Sequence, residues 1–137
     1  MQTAPNTDLI EFEGWTLRVR KTDHPSPRFL LMLHGFTGDE NSMWVFARDL
    51  PSHYWIVAAR ALHVAEPGGY SWRPLHAGTY GRPSLEQLRP AAEALIRLVD
   101  AYQLSARIDA RIFDLMGFSQ GAAMSNLLAF LYPERIR

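Results

Sequence analysis

Five residues near the C-terminal end, Gly117-Phe118-Ser119-Gln120-Gly121, fit the pattern G-x-S-x-G. Ahead of them lies the apolar run Ile112-Phe113-Asp114-Leu115-Met116, broken by one polar residue. Behind them, Gln120 to Tyr132 reads as a helix that stops at Pro133. Strand, sharp turn and helix in that order are the setting in which a Ser hydroxyl is lifted above a sheet as a nucleophile. The glycines have a steric reason. The turn forces the Ser into unfavourable backbone angles and brings strand and helix so close that side chains two before or two after it would collide. The helix start also aims amide groups at the negative charge that develops during acyl transfer. The chemistry this spacing suggests is attack by Ser119 on a carbonyl carbon. The competing reading is a plain tight turn with an incidental Ser.

Such a turn needs a covered sheet beneath it, and the chain supplies candidate strands. Leu9-Ile10-Glu11-Phe12 and Trp15 to Arg20 alternate around Glu13-Gly14, which predicts a hairpin with one face in water, as at a sheet edge. Two prolines make Asp23 to Pro27 a loop, with His24 solvated. Phe29-Leu30-Leu31-Met32-Leu33 is continuously apolar, the signature of a central parallel strand covered on both faces. It empties into His34-Gly35-Phe36-Thr37-Gly38. Asn41 or Ser42 is expected to cap a helix reaching about Leu50, with Met43, Phe46, Ala47 and Leu50 on its apolar stripe. His53 leads into a second buried-type strand, Tyr54 to Ala59. Arg60 to Pro83 is irregular, rich in Gly, Pro and aromatics, and long enough to be functional or flexible. Ser84 and Gln87 form a capping-box pair. Pro90 either kinks the helix that follows or starts it, and Ala92, Leu95, Ile96, Val99 and Tyr102 make its core face. The alternation of strands and helices after the hairpin predicts an α/β fold with a mostly parallel sheet.

The bulk properties are those of one domain of 137 residues, 47% apolar and 20% charged. Lys+Arg and Asp+Glu are both 14, so the net charge is zero and nothing points to nucleic acid or an anionic membrane as partner. The chain has no Cys, which excludes disulfides, a Cys nucleophile and thiolate metal sites. No apolar run is long enough to span a bilayer, and no signal-peptide pattern is visible, so a cytoplasmic location is the default expectation. No spacing of His, Asp and Glu suggests a metal site, and no cofactor is expected.

Taken together, Leu33-His34-Gly35-Phe36-Thr37-Gly38, Gly69-Tyr70-Ser71-Trp72 and Gly117-Phe118-Ser119-Gln120-Gly121 resemble the α/β-hydrolase superfamily. More narrowly, they resemble its carboxylesterase/phospholipase branch, which includes the acyl-protein thioesterases. The resemblance runs from the hairpin to the helix after Ser119. It implies an α/β-hydrolase fold and a small-molecule ester or thioester substrate. It makes Ser119 the nucleophile and the backbone N–H groups of Phe36 and Gln120 the oxyanion donors, with side-chain identity at both secondary to backbone position. Phe36, Tyr70 and Trp72 would contact an apolar acyl or aromatic group, with core packing the equal alternative for Trp72. His34 would support the oxyanion loop rather than act as base, and Asp114 would be a hydrogen-bonded strand residue rather than a triad acid.

The triad order in that superfamily is Ser, then Asp or Glu, then His. After Ser119 this chain offers only Glu134 and no His. Residues 1–137 are therefore expected to be the N-terminal portion of a single hydrolase domain, ending after the helix that follows Ser119, with a further strand beginning near Ile136. The acid and base would lie in a C-terminal portion that is the domain's own partner, and this chain alone would be nearly inactive. The alternative is a non-catalytic α/β-hydrolase-like binding module or an inactive fragment.

Overall fold

A computed structural model of the chain describes residues 6–74 and 84–137. Residues 1–5 and 75–83, including His76 and the end of the long irregular stretch, lie outside the described residues. Five strands form one sheet: β1 (Asp8–Phe12), β2 (Trp15–Arg20), β3 (Arg28–Leu33), β4 (Tyr54–Ala59) and, after a small two-stranded hairpin of β5 (His63–Val64) and β6 (Tyr70–Ser71), β7 (Asp114–Gly117). The sheet order is β1-β2-β4-β3-β7. The β1–β2 and β2–β4 pairs are antiparallel; β4–β3 and β3–β7 are parallel.

The opening hairpin turns at Glu13 (φ 47) and Gly14 (φ 84), two left-handed residues in succession, as a two-residue turn between twisted strands requires. β3 is the middle of the parallel part, and Phe29 to Leu33 are all buried. Its faces separate two cores. Phe29, Leu31 and Leu33 join Leu17, Val19, Trp55 and Val57 in the larger core, beneath helix α1 (Leu85–Ala106) and helix α2 (Gln120–Leu131). Leu30 and Met32 face the other way, onto Met43, Trp44 and Ala47. An apolar run without alternation is therefore matched by cover on both sides.

α1 begins with the reciprocal Ser84–Gln87 capping box and runs through Pro90 to Ala106, so the proline neither starts nor ends it. The 42–50 region departs from expectation. It forms a short 3₁₀ helix, Ser42–Ala47, and Asn41 gives it no side-chain cap. The Asn41 Oδ1 instead accepts from Arg18 Nε at 2.6 Å. With about three residues per turn in place of 3.6, the buried face becomes Met43, Trp44 and Ala47, and Phe46 turns outward at 50% exposure. β7 starts at Asp114 rather than Ile112. Phe113 pairs instead with Ile136 in a parallel bridge, donating N–H to the Arg135 carbonyl at 2.9 Å and accepting from Arg137 N–H at 3.0 Å. Strand-type pairing at Ile136 is where the sequence places a further strand.

Candidate active site

The end of β3 and the end of β7 lie side by side, with Leu33 paired to Gly117. The chain leaves β7 through Ser119, whose φ of 55° and ψ of −114° are unusual for any residue with a side chain. Ser119 is exposed, while Gln120 and Gly121 beside it are buried. The flanking glycines are sterically required. A Cβ on Gly117 would stand 2.2 Å from the Gly121 carbonyl oxygen, and one on Gly121 would stand 2.0 Å from the Leu33 carbonyl oxygen. The turn is closed by Gly121 N–H to the Phe118 carbonyl at 2.9 Å and by Ala122 and Ala123 N–H to the Ser119 carbonyl at 2.9 and 3.1 Å. Among the described residues the Gln120 N–H has no backbone acceptor.

The loop leaving β3 packs against this turn: a Cβ on Gly35 would meet the Phe118 carbonyl oxygen at 3.1 Å and Ser119 Cβ at 3.3 Å. His34 is 1% exposed, and both ring nitrogens are engaged. Nε2 takes the Ala61 N–H at 2.9 Å and so carries no proton; Nδ1, 2.7 Å from the Gly35 carbonyl oxygen, is the donor. Burial lowers its pKa, so the ring is a neutral strut between Ala61 and the loop. Thr37, in the same loop, has φ 72, a second strained residue and a rare one for a β-branched side chain. Its N–H bonds the Tyr70 carbonyl at 3.0 Å, and Tyr70 N–H bonds the Gly38 carbonyl at 2.9 Å. The approach is so close that a Cβ on Gly69 (φ 67) would lie 1.9 Å from the Thr37 carbonyl oxygen.

The sequence candidates thus separate. Ser119, Gln120 and the Gly35-Phe36 segment come together. Tyr70 docks on the loop by its backbone, and its half-buried ring lies under the Arg60 guanidinium at 4.6 Å. Trp72 takes the packing alternative. It is 1% exposed, its ring 5.2 Å from that of His34 and 6.5 Å from that of Trp15, so it presents no surface to a substrate. Asp114 holds Arg28 through two hydrogen bonds of 2.6 and 3.2 Å, a strand-to-strand clamp. The Gln120 side chain, expected to matter less than its backbone position, makes buried hydrogen bonds to Trp72 and Ser71.

A groove of about 350 Å³ opens at Phe118, the residue before Ser119, and is lined also by Phe36, Met43, Val45 and Phe46 among others. Val45, Phe46 and Phe118 are 58, 50 and 57% exposed, and the Phe46 and Phe118 rings stack at 6.0 Å. Periodicity assigned Phe46 to a core stripe; only the 3₁₀ winding exposes it. Glu40 was also unforeseen. It is 4% exposed and held by Arg60 at 2.7 and 3.1 Å. Among the described residues no three His, Asp or Glu cluster to hold a metal, and no helix is long and apolar enough to cross a membrane.

A mixed sheet with helices on its faces, and a strained Ser between two sterically required glycines at the end of a parallel strand, define the α/β-hydrolase fold. Solved structures agree. The chain is similar to a carboxylesterase from Mesorhizobium loti, with a TM-score of 0.79 at 23% identity, over 96% of this chain and 62% of that one. A Bacillus cereus carboxylesterase gives 0.77 at 23% identity over 90% and 57%, and YahD, solved with malic acid, gives 0.71 at 23% identity over 89% and 60%. The chain therefore spans about three fifths of the length of these proteins. No curated protein matches its sequence. Residues 16–137 match the sequence profile of the phospholipase/carboxylesterase family, and the chain belongs to that family.

Proposed function

We propose that this chain carries the nucleophile and oxyanion half of a serine esterase or thioesterase. The observation that carries the reading is Ser119 itself: an exposed hydroxyl on a strained residue, between glycines that no other residue could replace without moving backbone. Ser119 Oγ attacks the carbonyl carbon of an ester or thioester, the alcohol or thiol leaves, and water later releases the acid from the acyl-enzyme. The N–H groups of Phe36 and Gln120 receive the charge that develops on the carbonyl oxygen, each contributing about 3 kcal/mol to barrier lowering. The apolar part of the substrate lies along the groove of Phe36, Phe46 and Phe118, with Tyr70 at the hairpin behind the loop.

The general base is not His34, whose two nitrogens are already bonded in the interior. We assign the triad acid and base to chain outside these 137 residues, so the isolated chain retains only the small acceleration that oxyanion donors and binding supply. The test is Ser119→Ala in the full-length protein, with p-nitrophenyl butyrate as substrate. Turnover should fall at least about a thousandfold. Undiminished turnover would remove the proposal, whereas a wild-type full-length protein that neither turns over the ester nor reacts at Ser119 would favour the second reading, a non-catalytic binding module.

A further inference from the structure

The carboxamide of Gln120 does something that its backbone position does not explain. The residue is 9% exposed, and its side chain reaches the hairpin rather than the groove. Trp72 N–H lies 2.8 Å from Oε1, and Nε2 lies 3.1 Å from Ser71 Oγ. Chemistry fixes which end is which. A backbone N–H can only donate, so the amide oxygen faces it. The single proton of Ser71 is engaged by the Arg73 carbonyl at 2.7 Å, which leaves the hydroxyl lone pairs for Nε2. Ser71 and Trp72 are 0 and 1% exposed, so water offers neither group an alternative.

These bonds close a circuit. Trp72 donates its indole N–H to the His34 carbonyl at 2.8 Å, and the neighbouring Leu33 carbonyl accepts from Phe118 N–H at 3.2 Å, one residue before Ser119. The hairpin thereby links the serine turn to the loop that carries Phe36. The same hairpin grips the far side of that loop through the Thr37–Tyr70–Gly38 bonds. The packing of α2 on the sheet does not depend on this circuit, because Met124, Leu127 and Leu128 are buried in the main core. Loss of the carboxamide therefore acts locally, on the spacing between turn and loop.

We infer that the side chain of Gln120 is a positioning residue: by clamping Ser71-Trp72 to the start of α2 it sets the spacing between Ser119 and the Phe36 amide. The inference rests on the esterase reading, since the positioned groups are the proposed nucleophile and oxyanion donors. The test is Gln120→Met in the full-length protein, which keeps side-chain length but leaves the Trp72 N–H and Ser71 Oγ without their partner. A misplacement approaching 1 Å predicts a fall in kcat of about 10- to 100-fold, with KM within about twofold. Inactivation of Ser119 by a fluorophosphonate should slow by the same factor. Ser71→Ala, a smaller change that folds even if Gln120→Met does not, should lower kcat severalfold in the same pattern. A kcat within twofold of wild type in both variants would overturn the inference. So would losses that vanish once rates are normalised to titrated active sites, because a purely structural residue changes the folded fraction and not the rate per site. Ser119→Ala separates the two levels: if it is inactive while Gln120→Met is normal, only the clamp fails; if it is fully active, the esterase reading fails and takes the clamp with it.

Discussion

Gly121→Ala sets two opposed effects against each other. Residue 121 lies in the first turn of α2, where Ala is favoured over Gly by about 1 kcal/mol of helix propensity. Its φ is not positive, so the new side chain meets no left-handed strain. Against this, the added Cβ would lie 2.0 Å from the Leu33 carbonyl oxygen and 2.6 Å from that of His34, where real Cβ contacts do not come under 3.0 Å. The gap must open by about 1 Å, and the obstructing atoms are backbone of the central strand, which cannot rotate away as a side chain can. Overpacking of this kind costs up to about 3 kcal/mol and occasionally more. Sterics therefore win, with a net loss of about 2 kcal/mol, or a Tm drop on the order of 8 °C for a chain of this size. Gly14→Ala is the control: φ there is 84° with nothing within 4 Å of the Cβ, so only the left-handed penalty of about 1 kcal/mol applies. Urea unfolding followed by Trp fluorescence measures both. A Gly121→Ala protein as stable as wild type, or more stable than Gly14→Ala, would refute the reasoning that close approach rather than backbone freedom demands glycine at this turn.

Two further perturbations test the supports of the loop. Arg60→Met leaves Glu40 buried without its guanidinium and should cost about 2–3 kcal/mol at pH 7, discounted because Arg60 is partly exposed. Burial pushes the Glu40 carboxyl up most strongly of any single influence, but the Arg60 hydrogen bonds and charge, a backbone N–H and the charge of Arg18 together outweigh it and hold the pKa below 4.5, so the wild-type pair contributes stability above about that pH and loses it on acidification. In the variant burial is the largest influence, opposed by the remaining backbone hydrogen bond and the charge of Arg18. The deficit measured from urea midpoints should therefore shrink between pH 7 and pH 4, and a deficit that grows would count against the pair. His34→Phe strands the Ala61 N–H and should cost about 1–3 kcal/mol at pH 7. Burial lowers the pKa of His34 below 6.5, so wild type is fully stabilised above that pH and loses stability as pH falls through the lowered value. The Phe variant should lack that portion of the slope in Tm against pH, and an unchanged slope would mean that His34 is not the group responsible.

Much of the frame was legible in the chain. The Glu13-Gly14 hairpin, the doubly covered Phe29–Leu33 strand, the Ser84–Gln87 cap and the serine turn all rest on local rules: turn angles, continuous burial, side-chain capping and backbone clash. Of the stripe expected on helical spacing of 3.6 residues, Met43, Ala47 and Leu50 pack on the core, but the short segment winds as 3₁₀ against Leu30 and Met32, and that winding turns Phe46 out into the groove. Trp72 could have faced a ligand or the interior, because its ring suits either; the choice fell to Trp15, His34 and the carbonyl that takes its indole proton.

The sequence by itself determined where a strained Ser would stand, since the clash that demands Gly117 lies within the turn itself, while the clash that demands Gly121 comes from Leu33 and His34 on the neighbouring strand and is a tertiary contact. Only the tertiary structure decided what surrounds that Ser. The long-range partners of Gln120, His34 and Glu40 come from segments 20 to 49 residues away, and no local spacing encodes which of them the fold will bring within hydrogen-bond distance.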